Sequence, residues 1–282
     1  MRVLCVGDVN QDIITPQISY FPLRNEQLIV KNFRWFVGGG AALTACALSS
    51  LGLDTTLVGC VGDDSMGKEL IVKIKGFGVK SKVKKVESST EVTFAVSFAN
   101  AARSFISTVG ANNQLTVKDL PLLEGFDHLH VSGFYHLNGL NKSIGSLLKR
   151  AKNAGLSTSF DPGFSKGSSP ARVKELLPLV DVLFVSDPEL KSFGGIQFCS
   201  RRVSVLAVHS GIDGSVAYHK GQRYLSEPIR TKIVNSTGSG AVYNAGFLKN
   251  YLRGRSVQEC INKGLDVAKY YMRREKQEFP KR

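Results

Sequence analysis

Short apolar runs alternate with amphipathic stretches along most of the chain. The runs Val3–Val6, Thr56–Val61, His128–Val131, Ser157–Phe160, Val182–Val185 and Val203–Val208 are each bounded by Gly, Asp or Ser. Continuous apolar runs of this length predict buried parallel strands. Between them lie helical patterns at Ala41–Leu51, Ser65–Lys75, Lys142–Asn153 and Ala171–Leu177, the first three followed by Gly52, Gly76 and Gly155. Strand–helix alternation predicts an α/β fold, a central mostly parallel sheet with helices on both faces.

Two segments break the alternation. Residues 13–36 and 91–109 are β-rich with no helical period, and Thr93–Phe98 and Ser104–Val109 flank Asn100-Ala101-Ala102 as in a hairpin. They predict a small separate β-layer, a lid over the carboxyl ends of the strands, where ligands bind in this architecture. The expected division is a core of 1–12, 37–90 and 110–282, with 13–36 and 91–109 as the lid.

Composition narrows the function. The 282 residues suffice for one large α/β domain or two smaller ones. No apolar run approaches the ~20 residues that cross a membrane. Met1 to Asp8 reads as a first strand, not a leader, because a charge and a turn interrupt it. Five scattered cysteines predict reduced thiols in a cytoplasmic protein. The formal charge is +14, but the lysines are spread over solvated helix faces. The charge therefore predicts steering of anionic small molecules, with neither nucleic acid nor membrane as partner.

The chemistry concentrates in a few segments. Asn235-Ser236-Thr237-Gly238-Ser239-Gly240-Ala241 follows a strand-like run, Tyr224 to Val234, and precedes a helical stretch. Backbone N–H groups converging at a helix N-terminus bind anions without a charged side chain. Asn10 and Asp12, at the end of the first strand, read either as a grip on several hydroxyls or as a polar turn. Gly38 and Gly39 permit close backbone approach to a ligand, or simply open a helix. His209 and Ser210 are adjacent on an extended chain and point to opposite faces, which excludes a direct His–Ser pair. His128 and His130 share a strand face without an evident third metal ligand, so packing is expected. His136 follows a strand end, where it is either a pocket base or merely solvated. Trp35 either packs the lid or stacks on a ligand.

Taken in order, these segments resemble the ribokinase-like (PfkB) carbohydrate kinases. Gly7 to Asp12 is similar to the family's opening Gly-Asp-x-Asn-x-Asp, and Gly38 to Ala45 to its Gly-Gly-x-x-x-Asn-x-Ala, with Leu43 in place of the Asn. Gly59 to Gly67 resembles a structural segment in which Asp63 or Asp64 caps a helix. Ser186-Asp187-Pro188-Glu189 resembles Asn-x-x-Glu, and Asp161-Pro162-Gly163 a turn on the substrate or phosphate side. Asn235 to Phe247 resembles Asp-Thr-Thr-Gly-Ala-Gly-Asp-Ala-Phe-Asn-Ala-Gly-Phe. The resemblance implies transfer of the ATP γ-phosphate to a sugar or nucleoside hydroxyl, with ATP and Mg²⁺ as cofactors. Asn10, Asp12, Trp35, Gly38, Gly39, Leu43 and His136 would then line the acceptor side. Ser186, Glu189, His209, Gly211, Gly214 and Asn235 would line the nucleotide side, with Glu189 acting on Mg²⁺ through water. Gly238, Ser239 and Gly240 would form the anion hole.

The position of the family's catalytic base, an Asp, is Ala241. Leu43, Ser186, Asn235 and Ala241 all depart at ligand positions, while turns and glycines are spared. The expectation is a kinase scaffold that is catalytically disabled or redesigned by engineering. The alternative is a small-molecule binding protein or a designed catalyst, such as a hydrolase, in the former sugar pocket. Loss of polar groups at 43 and 241 predicts a preference for apolar ligands over sugars. The lid's outer face is the expected contact if the chain forms a homodimer.

Overall fold

The apolar runs assemble into one nine-stranded sheet of order β13-β12-β11-β10-β9-β8-β1-β4-β5. The computed structural model describes residues 1–98, 103–163 and 167–281. Its strands are β1 (Arg2–Gly7), β2 (Asn10–Ile18), β3 (Arg34–Gly38), β4 (Asp54–Gly62), β5 (Lys80–Val86), β6 (Glu91–Phe98) and β7 (Arg103–Ser107). They continue with β8 (His128–Ser132), β9 (Ser157–Asp161), β10 (Val182–Ser186), β11 (Val205–His209), β12 (Ser215–His219) and β13 (Gln222–Leu225). The helices are α1 (Gly40–Ser50), α2 (Ser65–Gly76), α3 (Asn138–Asn141), α4 (Ile144–Asn153), α5 (Ala171–Leu176), α6 (Asp187–Ser192), α7 (Gly195–Ser200), α8 (Ser239–Tyr251) and α9 (Val257–Met272).

From β5 to β11 every pairing in the large sheet is parallel, and β12 and β13 add an antiparallel edge. Alternation of side chains along β1 shows why the sheet is covered on both faces. Val3 and Cys5 join α1, α2, α8 and α9 in one core, whereas Leu4 and Val6 join α4 to α7 in the other. Every apolar side chain of a buried parallel strand thus finds a helix, on one face or the other.

The β-rich segments stay out of this sheet. They form a second sheet of order β3-β2-β6-β7, in which β2 and β6 are parallel and the outer pairs antiparallel. The predicted hairpin is β6–β7; its connection at Asn100 to Ala102 lies outside the described residues. The C-terminal segment covers the β3 edge: Val37 N donates to Gln277 Oε1 (2.9 Å) and Gln277 Nε2 donates to Val37 O (2.7 Å). The pairing at Val37 interrupts the row of backbone groups that this edge could offer another chain.

Two local expectations are corrected. Only Gln222–Leu225 of the run before the anion loop is a strand; residues 226–238 are irregular. Pro228 has no N–H for a ladder, and the segment is held instead by Ile229 N to Ile212 O and Val234 N to Met272 O. The helix expected from Lys142 to Asn153 starts at Ile144, after a separate turn, α3. Lys80 to Val86 forms the edge strand β5, with Lys80 on Asp54 (2.8 Å) and Lys84 on Asp119 (3.0 Å). Lysines on an edge strand discourage edge-to-edge pairing, which accounts for them without a polyanion. No described helix is long and apolar enough to cross a membrane.

Of the two candidate caps, Asp64 is the one used: its Oδ1 accepts from Gly67 N (2.7 Å) and Thr90 Oγ1 (2.7 Å), and its Oδ2 from Thr90 N (2.8 Å). Burial opposes ionisation, but the bonds from Thr90 and Gly67 outweigh it and hold the carboxyl below its ordinary range. Asp64→Ala is expected to cost about 1 kcal/mol near neutral pH, the usual worth of a cap. A depressed carboxyl contributes above its unfolded value, so this cost should shrink as pH falls through the acid range. Urea titrations of both proteins across that range measure it.

Candidate active site

The strand ends converge on one place. In the sheet register Gly7 lies beside Ser132, Ser132 beside Asp161, and Ser186 beside His209. The carboxyl ends of β1, β8, β9, β10 and β11 therefore present Asp8, Ser132, Asp161, Ser186 and His209 along one rim. Helix α8 closes the rim with its N-terminus, and the lid sheet covers it through Asn10, Asp12 and Thr93. An open cavity of about 380 Å³ lies there.

On the lid side, Asp12 Oδ1 accepts from Asn10 Nδ2 (2.8 Å), and Asn10 Nδ2 also reaches Thr93 Oγ1 (3.2 Å). Burial and the nearby Asp8 push the Asp12 carboxyl up to about 7, against the Asn10 bond. A Cβ at Gly38 would come 2.1 Å from Asp12 Oδ1, so Gly38 shapes the pocket from behind rather than lining it. Asp8 serves the fold. Its carboxylate accepts from Gly40 N (2.9 Å) and Ala41 N (3.1 Å) and so caps α1 from the connection between β1 and β2. Gly39, at φ 88°, makes the turn into α1, where a Cβ would strike Asp8 O at 2.3 Å.

His136 lines the cavity and is hydrogen-bonded there. Its Nδ1 lies 3.2 Å from Oε2 of buried Glu91, whose Oε1 accepts from Gly110 N (2.9 Å). The Glu91 bond raises the His136 pKa against the opposing effect of burial. Glu91→Gln should lower it, and a proton NMR titration of the imidazole reads the change directly.

Trp35 is placed elsewhere. It packs on α2 with the Lys73 ammonium 3.7 Å from its ring centre, outside the cavity lining. His128 and His130 are fully buried within the sheet, as expected for packing. His128 bonds Ser157 and Ser159 (2.7 Å each), and His130 Nδ1 bonds Ser159 (2.8 Å). Burial pushes both down to about 3, so the rings are neutral.

On the other side lies the anion loop. Thr237 N donates to Asn235 Oδ1 (3.0 Å), so Asn235 shapes the loop instead of facing the cavity. The buried Thr237 Oγ1 has no partner among the described residues and lies in the lining. Gly238 sits at φ 79°, and a Cβ there would meet Leu43 Cδ1 at 2.5 Å. Leu43 therefore leans on the loop where an acceptor hydroxyl would approach. Ala241, in the first turn of α8, carries no proton-accepting group; its carbonyl accepts from Thr44 Oγ1 (3.2 Å), tying α8 to α1. Glu189 Oε2 accepts from the Ser186 backbone and from Ser186 Oγ (2.7 Å), a capping box for α6. Burial raises both Glu189 and Asp161, and Glu189 raises Asp161 further.

Beyond the loop a second cavity of about 350 Å³ is lined by Ile229, Ile233, Tyr243, Leu265, Ala268 and Met272, with Gly211 and Gly214 at its rim. Ser236, Ser239, Gly240 and Arg103 border it, and His209 lines both cavities. An apolar slot ending in small hydroxyl residues, helix N–H groups and an arginine fits a nucleotide's base and phosphates. Among the described residues no three His, Cys, Asp or Glu gather to hold a metal ion. Asp161 and Glu189 fit only the mode in which Mg²⁺ keeps its waters and is held chiefly by nucleotide phosphates.

The family model for pfkB family carbohydrate kinases matches residues 1–279. The chain belongs to this family. Among its relatives is an ATP-dependent ribose-1-phosphate kinase of Halopiger xanaduensis, 27% identical over 272 residues, covering 93% of this chain and 88% of the relative. An uncharacterized sugar kinase of Archaeoglobus fulgidus is 31% identical over 238 residues, 78% of this chain and 92% of the relative. The crystal structure of the Methanocaldococcus jannaschii nucleoside kinase superposes with a TM-score of 0.79 at 25% identity, covering 97% of this chain and 92% of that one. A fructokinase from Xylella fastidiosa with bound ATP has the same fold, with a TM-score of 0.81 at 19% identity over 98% and 93% of the two chains.

Within this pfkB scaffold the structure brings together Asn10, Asp12, Gly39, Leu43, His136, Ser186, Glu189, His209, Gly238, Gly240 and Ala241 around one cavity. Ser239, Gly211 and Gly214 border the other. Glu91, Thr93 and Arg103 escape sequence reasoning because only the docking of the lid brings them in. Asn244 looks like scaffold in the sequence, but its Nδ2 donates to Asp161 Oδ2 (2.7 Å) and its Oδ1 meets His209 Nε2 (2.9 Å).

Proposed function

We propose that this chain binds a nucleoside triphosphate and a small polar ligand in adjoining cavities and transfers phosphate to a hydroxyl only at a background rate. The observation that carries this reading is Ala241. In the first turn of α8, next to the anion loop, a methyl group stands where the family resemblance implies a carboxylate base. Leu43 supports it from the acceptor side, since its methyl leans on Gly238. Nothing in either residue takes a proton from an attacking hydroxyl, and base removal costs about 10²–10⁴-fold.

Binding is supported by what remains. The loop keeps its glycines, Thr237 keeps a buried hydroxyl without a partner among the described residues, and the apolar slot is open. Bound ATP with Mg²⁺ would supply the phosphoryl group and its charge neutralisation. Loop N–H groups and Arg103 would hold the phosphates, and the lid would exclude water. The acceptor cavity retains Asn10, Asp12, Thr93, Ser132 and His136, so its lining favours a hydroxylated ligand. Leu43 and Ala241 add apolar surface to the same lining, whereas Trp35 lies outside it and adds none.

Calorimetry with ATP, together with ADP release across a sugar and nucleoside panel, tests the proposal. Saturable ATP binding with ADP release at background is expected. Robust turnover on any acceptor, or no ATP binding, overturns it.

A further inference from the structure

His209 stands between the two cavities and lines both. Its hydrogen bonding is directional. Asn244 gives Nδ2 to Asp161 Oδ2, which leaves only Oδ1 for His209. An amide oxygen accepts, so His209 Nε2 must carry the hydrogen. In the neutral ring Nδ1 then bears a lone pair. No described residue bonds Nδ1, and it lies against the anion loop: a Cβ at Gly240 would come within 3.2 Å of it.

The surroundings hold the ring in this pose. Phe184 of β10 stacks on it at 6.2 Å and 13°, and Tyr243 of α8 meets it edge-on at 4.9 Å. Ser215 of β12 is its cross-strand neighbour. The acids that act on it are Asp187 of α6, directly, and Asp161 of β9 behind Asn244. Arg103 lines the same cavity. Burial pushes the ring down to about 4, against the Asn244 bond and Asp187, so the free site holds it neutral.

We infer that His209 is a phosphate-contacting residue that engages an anionic phosphoryl group only as the imidazolium, so that nucleotide binding takes up a proton. The inference rests on the reading that these cavities take a nucleotide. A neutral ring would oppose its Nδ1 lone pair to phosphate oxygens that also have only lone pairs to offer. Protonation turns Nδ1 into a charge-assisted donor, while Nε2–H keeps its bond to Asn244. Below the pKa of the bound complex, affinity should then rise up to about tenfold for each unit fall in pH. Arg103 stays charged throughout and cannot produce this slope.

NMR of the His209 imidazole in the intact chain, without and with saturating metal-free ADP near neutral pH, tests it. The free ring should show the neutral Nε2–H tautomer and the ADP complex the doubly protonated ring. His209→Gln, which keeps a donor for Asn244, should bind ADP more weakly at acid pH and lose the steep pH dependence. The nucleotide's own ionisation is common to both proteins and cancels in the comparison. ADP bound beside a neutral His209, or an unchanged slope in the variant, overturns this inference alone. Failure of ADP to bind overturns both the inference and the nucleotide reading.

Discussion

Ala241→Asp combined with Leu43→Asn should raise phosphotransfer well above the native chain, whereas either change alone stays near background. An Asp at 241 restores a proton acceptor beside the anion loop, and a general base is worth about 10²–10⁴-fold. Alone it meets an acceptor held off by Leu43, whose methyl presses on Gly238. Asn at 43 withdraws that methyl and adds two donors and an acceptor for a hydroxyl, but alone it leaves the proton without a base. The two should therefore couple strongly, as groups acting on one reacting centre do. ADP release across sugars and nucleosides, for native, single and double variants, is the measurement. Full recovery by Ala241→Asp alone would show that Leu43 does not obstruct the acceptor. No recovery in the double variant, with the fold intact, would place the defect elsewhere.

Phe184→Ala should destabilise the fold by about 3–5 kcal/mol, the range for a buried Phe cut to Ala. Phe184 is fully buried and is the centre of an aromatic cluster, edge-on to Phe247 at 5.3 Å and to Tyr243 at 6.5 Å. It joins the central sheet to α8, and its ring is also the floor on which His209 stacks. Close packing leaves no neighbour free to fill the space, so both transfer and cavity costs apply. The urea midpoint should fall with the slope unchanged. A loss under ~1 kcal/mol, nearer the cost of a volume-conserving swap, would mean the cluster collapses to fill the gap.

The parallel strands are legible in the sequence because each is a short apolar run with punctuation at its ends. The same is true of the break in pattern that marks the lid. Helix α9 is legible too, though it is absent from the helices expected above: Ser256 and Glu259 spell a capping box before an apolar period, and both reciprocal bonds form. The strand expected at Tyr224–Val234 ends early because its apolar content is interrupted by Pro228, which cannot donate to a ladder. At the site, the anion loop, Asp12, Leu43 and Ala241 line one cavity, and the motifs that single them out are legible because strand ends and helix starts are local features. Trp35 shows the opposite case. Its ring meets Lys73 of α2, a partner that nothing near residue 35 specifies.

Local sequence thus determined the elements, the glycine turns and the identity of the groups offered at each strand end, since periodicity and turn chemistry act over a few residues. Tertiary structure alone decided which groups meet. Glu91 reaches His136 from 45 positions away, Asn244 reaches Asp161 from 83 positions away and His209 from 35, and Leu43 settles on Gly238. These contacts arise from the packing of α8 against α1 and of the lid against the sheet. Burial and hydrogen bonding at those junctions, which no short stretch of sequence specifies, shift the carboxyls and imidazoles there from their ordinary values.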